Sequence, residues 1–422
     1  MDTDVEGRRV ALLSLHSSPV APPGLSDVGG MNVYVRRLAT ELTSRRWEVD
    51  VFTRRTDRSA PDAVPLDGGG RLVHLTAGPP RRIPKSALPL HLPALVSAFG
   101  AFLEREGRSY DVLHSHYWLS GLAAMRYHAL AGHPAPHVHM FHTLARLKER
   151  YGGGTDDNDS TLRPDGERCL IGRADVIVGA TEEERTDMIA LYGKTPRRYE
   201  IIPPGVDLDL FYPRDPIMCR SILGVRAGRV ILFVGRQDKL KGLETLLHAV
   251  RALPDPVLDD LQVLVVGGRD ALPASGRGPE HRLVAQLGLD RIVSFQGTVS
   301  QLELPVYYSA ATLCAVPSAY ESFGMVAIEA MACQTPVVAF RVGGLATTIA
   351  HGRTGLLAAP GNVDEYALRL HEGLTTADLS PMGRRARMSV QRYRWERAAG
   401  ATADLYEDLI GEYVSAGRPV AR

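Results

Sequence analysis

The chain is predicted to fold as two doubly wound α/β domains followed by a terminal helix. Three observations predict this. Continuous apolar runs of strand length alternate with helically spaced apolar residues in both halves of the chain, as in parallel sheets covered on both faces. Glycine-rich turns follow several of those runs. Pro203-Pro204-Gly205 interrupts the alternation near the middle and marks a linker between domains spanning 1–203 and 204–394. Residues 395–422 then form a helix that crosses back to the first domain.

The first half opens with a strand at Arg9–Leu15, with His16 at its carboxyl end. A Pro-, Gly- and Ser-rich loop leads to Gly29-Gly30, which opens a helix carried by Val35, Leu38, Ala39 and Leu42. A glycine pair between a strand end and a helix start suits a phosphate cradle, although such pairs also serve ordinary turns. Strands follow at Glu48–Thr53, Val112–His114, Pro136–Phe141 and Ala174–Val178. His114 and His116 stand two apart, but no third ligand has metal spacing, so packing and hydrogen bonding are the preferred reading. His142 and Thr143 sit where a strand ends, and ligands of open α/β sheets collect at such ends. The segment Tyr151–Arg163 reads as a mobile loop, and its Asp156, Asp157 and Asp159 lack the spacing of a calcium loop. Thr181 precedes three glutamates, an acidic helix start that suits the helix dipole.

The second half begins at Val230 with the run VILFVGR, followed by a helix with Leu243, Leu246, Leu247 and Val250 on one face. Arg236 and Lys241 stand at the strand end and the helix mouth. Two cations over one crevice suit a diphosphate, with surface salt bridging as the plainer alternative. Further strands are expected at Leu261–Val266, Arg291–Phe295, Thr312–Val316 and Val337–Phe340. Between the last two, Tyr320–Gly324 opens a helix carrying Met325, Val326, Ile328 and Met331. Gly324 allows backbone N–H groups to approach an anion at the helix mouth. Glu329 lies within this apolar helix, where an ionised carboxylate needs a hydrogen-bond partner; a ribose diol would supply one. Trp395–Val414 reads as one helix with a stripe of Ala398, Ala401, Leu405 and Leu409.

Bulk numbers narrow the class. The 422 residues are 45% hydrophobic and 23% charged, as expected of a globular protein with large cores. A net charge of +1 predicts no broad attraction to nucleic acid or anionic membrane. No uninterrupted apolar run reaches spanning length, and the N-terminus has no cleavable signal pattern. The four cysteines lack CxxC or Cys/His spacing, which suits a reduced, cytoplasmic protein without a structural zinc.

The spacing Glu321, seven residues, Glu329, within PSAYESFGMVAIEAMA, resembles the retaining glycosyltransferases of family 4. LSLHSSP, GGMNVYV, HSHYWLSG and HTLARLK extend the resemblance over essentially the whole chain. They are most similar to the branch that moves N-acetylglucosamine from UDP-N-acetylglucosamine to 1D-myo-inositol 3-phosphate. The resemblance implies the GT-B fold, two Rossmann-like domains facing a cleft. It implies a donor site of Gly29, Gly30, Arg236, Lys241, Val299, Glu321, Ser322, Phe323, Gly324 and Glu329. It implies an acceptor phosphate held by Lys85, Tyr117, Thr143 and Arg163, with His16, Asp27, Met31 and Asn32 toward the acceptor ring. His142 would stand beside the transferred sugar and act with Arg236, Lys241 and Glu321 in catalysis. Val299 and Ser309 replace arginines of the branch, which leaves the base of the donor open.

The expected reaction is retaining transfer without a required cofactor or metal. The donor diphosphate takes the acceptor's proton, and closure of the domains excludes water. The expected partners are the small-molecule donor and acceptor, with no nucleic acid, no integral membrane contact, and a homodimer left open. Alternatives on the same fold keep the donor crevice and change the acceptor. One is fructose 6-phosphate, as in sucrose-phosphate synthases. Another is an aminocyclitol or a small thiol, the latter with a GDP sugar. A UDP-sugar 2-epimerase lacks a carboxylate placed for C2, and the intact Arg236, Lys241, Glu321 and Glu329 set weighs against a non-catalytic sensor.

Overall fold

The computed structural model describes residues 7–21, 29–132, 135–152, 162–268 and 278–417. Two sheets form. The first takes β1 (Arg9–Leu13), β2 (Glu48–Arg54), β3 (Ala63–Pro65), β4 (Arg71–Leu75), β5 (Val112–His116), β6 (His137–Met140), β7 (Val176–Gly179) and β8 (Tyr199–Ile201). Their spatial order is β3-β4-β2-β1-β5-β6-β7-β8, with β3 as the one antiparallel strand. The second takes β9 (Arg229–Val234), β10 (Leu261–Val266), β11 (Val293–Gly297), β12 (Leu313–Val316), β13 (Val337–Phe340) and β14 (Gly355–Ala358). Its order is β11-β10-β9-β12-β13-β14, all parallel. This is the GT-B architecture.

The strand positions follow from the apolar runs. β1, β9, β10, β12 and β13 are Val-, Leu-, Ile- or Ala-rich and buried almost throughout, because helices cover both faces of each sheet. Both sheets reverse direction of travel at one place, between β1 and β5 in the first and between β9 and β12 in the second. Loops leaving the strand ends diverge there and open a crevice. His16, Tyr117, Arg236 and Glu321 all lie just beyond the carboxyl ends of those four strands.

Four strands escape the sequence reading: β3, β4, β8 and β14, each three to five residues long. Gly352–Gly355 reads as a glycine turn, yet Gly355 already begins β14 and pairs with β13 in register, opposite Val337. The terminal helix, Trp395–Ser415, packs on the helix Gly30–Ser44 and enters the first lobe's core through Trp395, Leu405, Tyr406, Leu409 and Ile410. Ala401 is exposed; the buried stripe passes through Ala398, Thr402, Leu405 and Leu409. The strand β5 also runs on to His116, which puts both of its histidines in the sheet.

The chain crosses between lobes twice, and the crossings touch. Val206 N donates to Tyr393 O at 2.6 Å, and Val206 forms a parallel bridge with Arg394. A Cβ on Gly205 would lie 2.4 Å from Trp395 N, so only glycine allows the two segments this close. Lys85–Glu106 is one described helical stretch with the length and apolarity of a membrane span. Its Leu88, Leu92, Leu95, Val96, Phe99, Phe102 and Leu103 are buried in the first lobe's core.

Candidate active site

The first lobe gathers a cationic pocket around His16. The His16 and Tyr117 rings lie 4.1 Å apart, and the Arg163 guanidinium sits 4.8 Å above the Tyr117 ring. Arg163 is buried. Its Nη2 donates to Thr143 O at 2.9 Å and Thr143 Oγ1 at 3.2 Å, and its Nε donates to Glu167 Oε1 at 2.8 Å. Burial first, then Lys85, His142, Arg163 and Lys148, hold the His16 imidazole well below its ordinary value. Of the four residues that the resemblance assigns to one phosphate, Lys85 and Arg163 act on the His16 imidazole, Tyr117 lies against it, and Thr143 joins through Arg163.

Two members of this pocket went unread in the sequence. Lys148 lies in the quoted run HTLARLK and adds a cation. Glu167, four residues after Arg163, is fully buried and holds it. It also accepts from Ala145 N at 3.0 Å and from the Tyr192 hydroxyl, while burial raises its proton affinity despite these partners. The i, i+4 spacing of Arg163 and Glu167 is the signal that could have identified the pair.

Asn32 has its amide occupied by protein groups. Its Nδ2 donates to Ser17 Oγ at 2.7 Å and Ser18 O at 2.8 Å, and its Oδ1 accepts from Gly29 N at 3.0 Å. It thereby ties the loop after β1 to the mouth of the helix Gly30–Ser44. Gly29 and Gly30 are exposed at that mouth, and Met31 packs half-buried beside them. Asp27, and residues 153–161 of the expected loop with Asp156, Asp157 and Asp159, lie outside the described residues; the loop's last two residues, Leu162 and Arg163, instead open the helix Leu162–Arg173.

In the second lobe, Lys241 Nζ pairs with Glu321 Oε1 at 2.5 Å, and Ser318 Oγ donates to the same oxygen at 2.9 Å. Arg236 pairs with Asp238 at 3.0 Å, and Asp238 Oδ1 also accepts from Lys241 N at 3.1 Å. One aspartate thus holds the Arg236 guanidinium and caps the backbone of the Lys241 turn. Gly242 has φ 72°, and a Cβ there would meet Pro317 O at 2.1 Å, so a glycine brings the Lys241 turn against the Glu321 segment. Gly324, at φ 94°, caps the helix Met325–Ala332. Glu329 is buried in that helix, and the Tyr308 hydroxyl donates to its Oε2 at 2.8 Å. Burial pushes its carboxyl up to about 7. Phe323 is buried edge-on against Tyr393, and Val299 is half-buried against the lobe's core.

The two clusters meet across the cleft. Ser322 Oγ lies 3.5 Å from His142 O, and the Tyr151 and Tyr320 rings stack at 5.5 Å. A Cβ on Gly30 would sit 3.9 Å from Met325 Cγ. Tyr117 and His142 both adopt positive φ, 73° and 60°, which for non-glycine residues costs about 1–3 kcal/mol each and concentrates at functional sites. Among the described residues no group of three His, Cys, Asp or Glu side chains is placed to hold a metal. The arrangement can hold two anionic groups: a phosphate over the first lobe's cations, and a diphosphate over Arg236 and Lys241 once those side chains release their acidic partners.

Comparison with known proteins agrees with this geometry. Residues 28–210 match the family model described as Glycosyltransferase Family 4, and residues 224–391 match Glycosyl transferases group 1. The chain is 41% identical to D-inositol 3-phosphate glycosyltransferase 2 of Catenulispora acidiphila, covering 96% of this chain and 95% of that one. It is 40% identical to D-inositol 3-phosphate glycosyltransferase of Streptomyces bingchenggensis, covering 96% and 90%. Its structure superposes on sucrose-phosphate synthase from Thermosynechococcus elongatus with TM-score 0.86 and 34% identity, over 96% and 100% of the two chains. It shares its fold with Anabaena HepE in complex with UDP-glucose, at TM-score 0.73 and 20% identity, over 95% and 99%.

Proposed function

The chain belongs to the retaining glycosyltransferases of family 4, and from that premise we propose that it transfers N-acetylglucosamine from UDP-N-acetylglucosamine to 1D-myo-inositol 3-phosphate. The observation that carries the acceptor class is the pocket in which Lys85, Arg163 and Lys148 act on His16, with the Tyr117 ring under the guanidinium and the Thr143 hydroxyl beside it. Glu167 pairs with Arg163, and Lys85 and Lys148 bring two further cations to the pocket, a set whose charge suits a phosphate dianion. The names of the 41% and 40% identical relatives support the inositol ring as the remainder of the acceptor.

In this scheme the diphosphate lies over Arg236 and Lys241 with Gly30 amides approaching it, and the uridine ribose reaches Glu329. Lys241 leaves Glu321 for the diphosphate, and Glu321 turns its carboxylate to the sugar hydroxyls. As the glycosidic bond breaks, negative charge grows on the departing diphosphate, where the cations stabilise it more than in the ground state. The acceptor hydroxyl attacks from the face the diphosphate leaves, a diphosphate oxygen takes its proton, and configuration is retained. A second reading, transfer to fructose 6-phosphate, has the 34% identity to a sucrose-phosphate synthase in its favour.

The deciding experiment is a matrix of UDP, GDP and ADP sugars against inositol 3-phosphate, inositol, fructose 6-phosphate, an aminocyclitol and a thiol, read by mass spectrometry. The proposal expects product with UDP-N-acetylglucosamine and inositol 3-phosphate, and little with unphosphorylated inositol. Equal turnover of inositol and its phosphate would sink the acceptor assignment; preference for fructose 6-phosphate would select the second reading.

A further inference from the structure

His116 ends β5, and its Nδ1 lies 3.1 Å from Nε2 of His142, the residue that the family resemblance sets beside the transferred sugar. Both imidazoles are neutral. Burial first, then His114, His142 and His139, depress His116 well below its ordinary value, and burial brings His142 down to about 3. A hydrogen bond between two neutral imidazoles uses one hydrogen, so one ring donates and the other accepts. The far nitrogen of His116, Nε2, decides which. It is buried without a partner. If His142 donated, His116 would carry its own hydrogen on Nε2, an orphaned buried N–H. If His116 donates, Nε2 is a bare lone pair instead. Orphaned buried N–H groups are the rarer and more costly case.

We propose that His116 is a positioning residue: it donates from Nδ1 to His142 Nε2, fixes His142 as the Nδ1–H tautomer, and so makes His142 a hydrogen-bond donor to an oxygen of the transferred sugar. The surroundings leave the His142 ring little freedom to evade this. The Tyr34 ring packs edge-on against both His142 and His116, at 5.2 and 5.7 Å. The His142 backbone is held at φ 60°, and its carbonyl faces Ser322 beside Glu321 of the other lobe. The His114 ring lies tilted against His116 at 4.3 Å and is itself anchored to the Tyr406 hydroxyl of the terminal helix at 2.6 Å. With Nε2 taken, Nδ1 is the His142 ring atom left for a ligand. A site that presents a fixed N–H discriminates against a sugar lacking the matching oxygen, because the donor is then left unpaired. The inference rests on the proposed place of His142 at the sugar, while the tautomer itself does not.

The test uses the full-length protein labelled with 15N at histidine, with the His142 ring signals assigned by their loss in His142→Leu. The wild type should show His142 with a protonated Nδ1 and a bare Nε2, and His116→Leu should abolish that assignment. In kinetics with UDP-N-acetylglucosamine, His116→Leu should lower kcat roughly five- to tenfold, the worth of one hydrogen bond, with the acceptor KM unchanged. His116→Asn, whose amide keeps a donor, should recover most of it. A wild-type His142 protonated on Nε2 overturns the proposal whatever the activity of the variants. An impaired His142→Leu beside an unimpaired His116→Leu overturns the positioning role and leaves the proposed reaction standing. A fully active His142→Leu removes His142 from the reaction and the positioning role with it.

Discussion

Arg163 offers the sharpest perturbation, because its removal has two consequences that separate on different measurements. It donates to Thr143 and to Glu167 and lies over the Tyr117 ring; in the proposed reading it also gives the acceptor phosphate a charge-assisted hydrogen bond. Such a bond contributes about 1.5–3 kcal/mol, which is roughly 10- to 150-fold in kcat/KM for a phosphorylated acceptor. Arg163→Leu should show that loss chiefly as a raised acceptor KM, with the donor KM little changed. The second consequence is structural. Glu167 is fully buried and its proton affinity is already raised by burial; Arg163 is the largest influence opposing that rise. Without the cation the carboxyl is pushed further up and folds protonated. A group that binds its proton more tightly folded than unfolded stabilises at low pH, and that stability is lost as pH rises through its folded value. Arg163→Leu should therefore melt progressively lower than wild type between about pH 5 and pH 8, toward the 3–5 kcal/mol typical of a broken buried pair. Adding Glu167→Gln should restore much of the stability at pH 8 and none of the acceptor affinity. Thermal melts across pH, paired with steady-state kinetics, read both arms. An unaltered acceptor KM in Arg163→Leu, or its recovery in the double variant, would refute the phosphate role.

Two further outcomes are expected. Lys241→Met should lower kcat about 10²- to 10³-fold, since it removes a cation from the departing diphosphate and leaves Glu321 beside it without its 2.5 Å partner; a product-release assay checks this, and a rate within threefold of wild type would contradict it. Glu329 folds with its carboxyl raised to about 7 by burial, so by the same linkage the unliganded protein should lose melting temperature from pH 5 to pH 8, and Glu329→Gln should flatten that slope; parallel slopes in the two proteins would show that Glu329 is not the group responsible.

The fold was legible because its determinants are local. Val-, Leu- and Ile-rich runs such as Val230–Val234 and Leu261–Val266 mark strands buried on both faces, Gly324 marks a turn that other residues resist, and Pro203-Pro204-Gly205 marks a break between the two series. The motifs HSHYWLSG, HTLARLK and PSAYESFGMVAIEA carry the family membership and the residue types of the two proposed anion sites in their order along the chain. The short strands β3, β4, β8 and β14 were not legible, because three to five residues carry too little periodicity and are held by pairing with neighbours far along the chain. Lys148 and Glu167 were missed for a related reason: their importance lies in what they face. Glu167 reads as one charge among several on a polar helix until Arg163, Ala145 and Tyr192 close around it.

The sequence by itself determined the architecture, the family and which residue types are available for two anions, since strand burial, glycine turns and motif spacing all act through neighbours along the backbone. Tertiary structure alone decided how those residues are spent. It paired Lys241 with Glu321 across 80 positions, occupied Asn32 with the loop after β1, buried Glu329 against Tyr308 and set His116 against His142. The charge, tautomer and free valence of a polar side chain depend on whatever lies within about 3 Å of it, and in a doubly wound fold that neighbour usually arrives from a distant strand or helix.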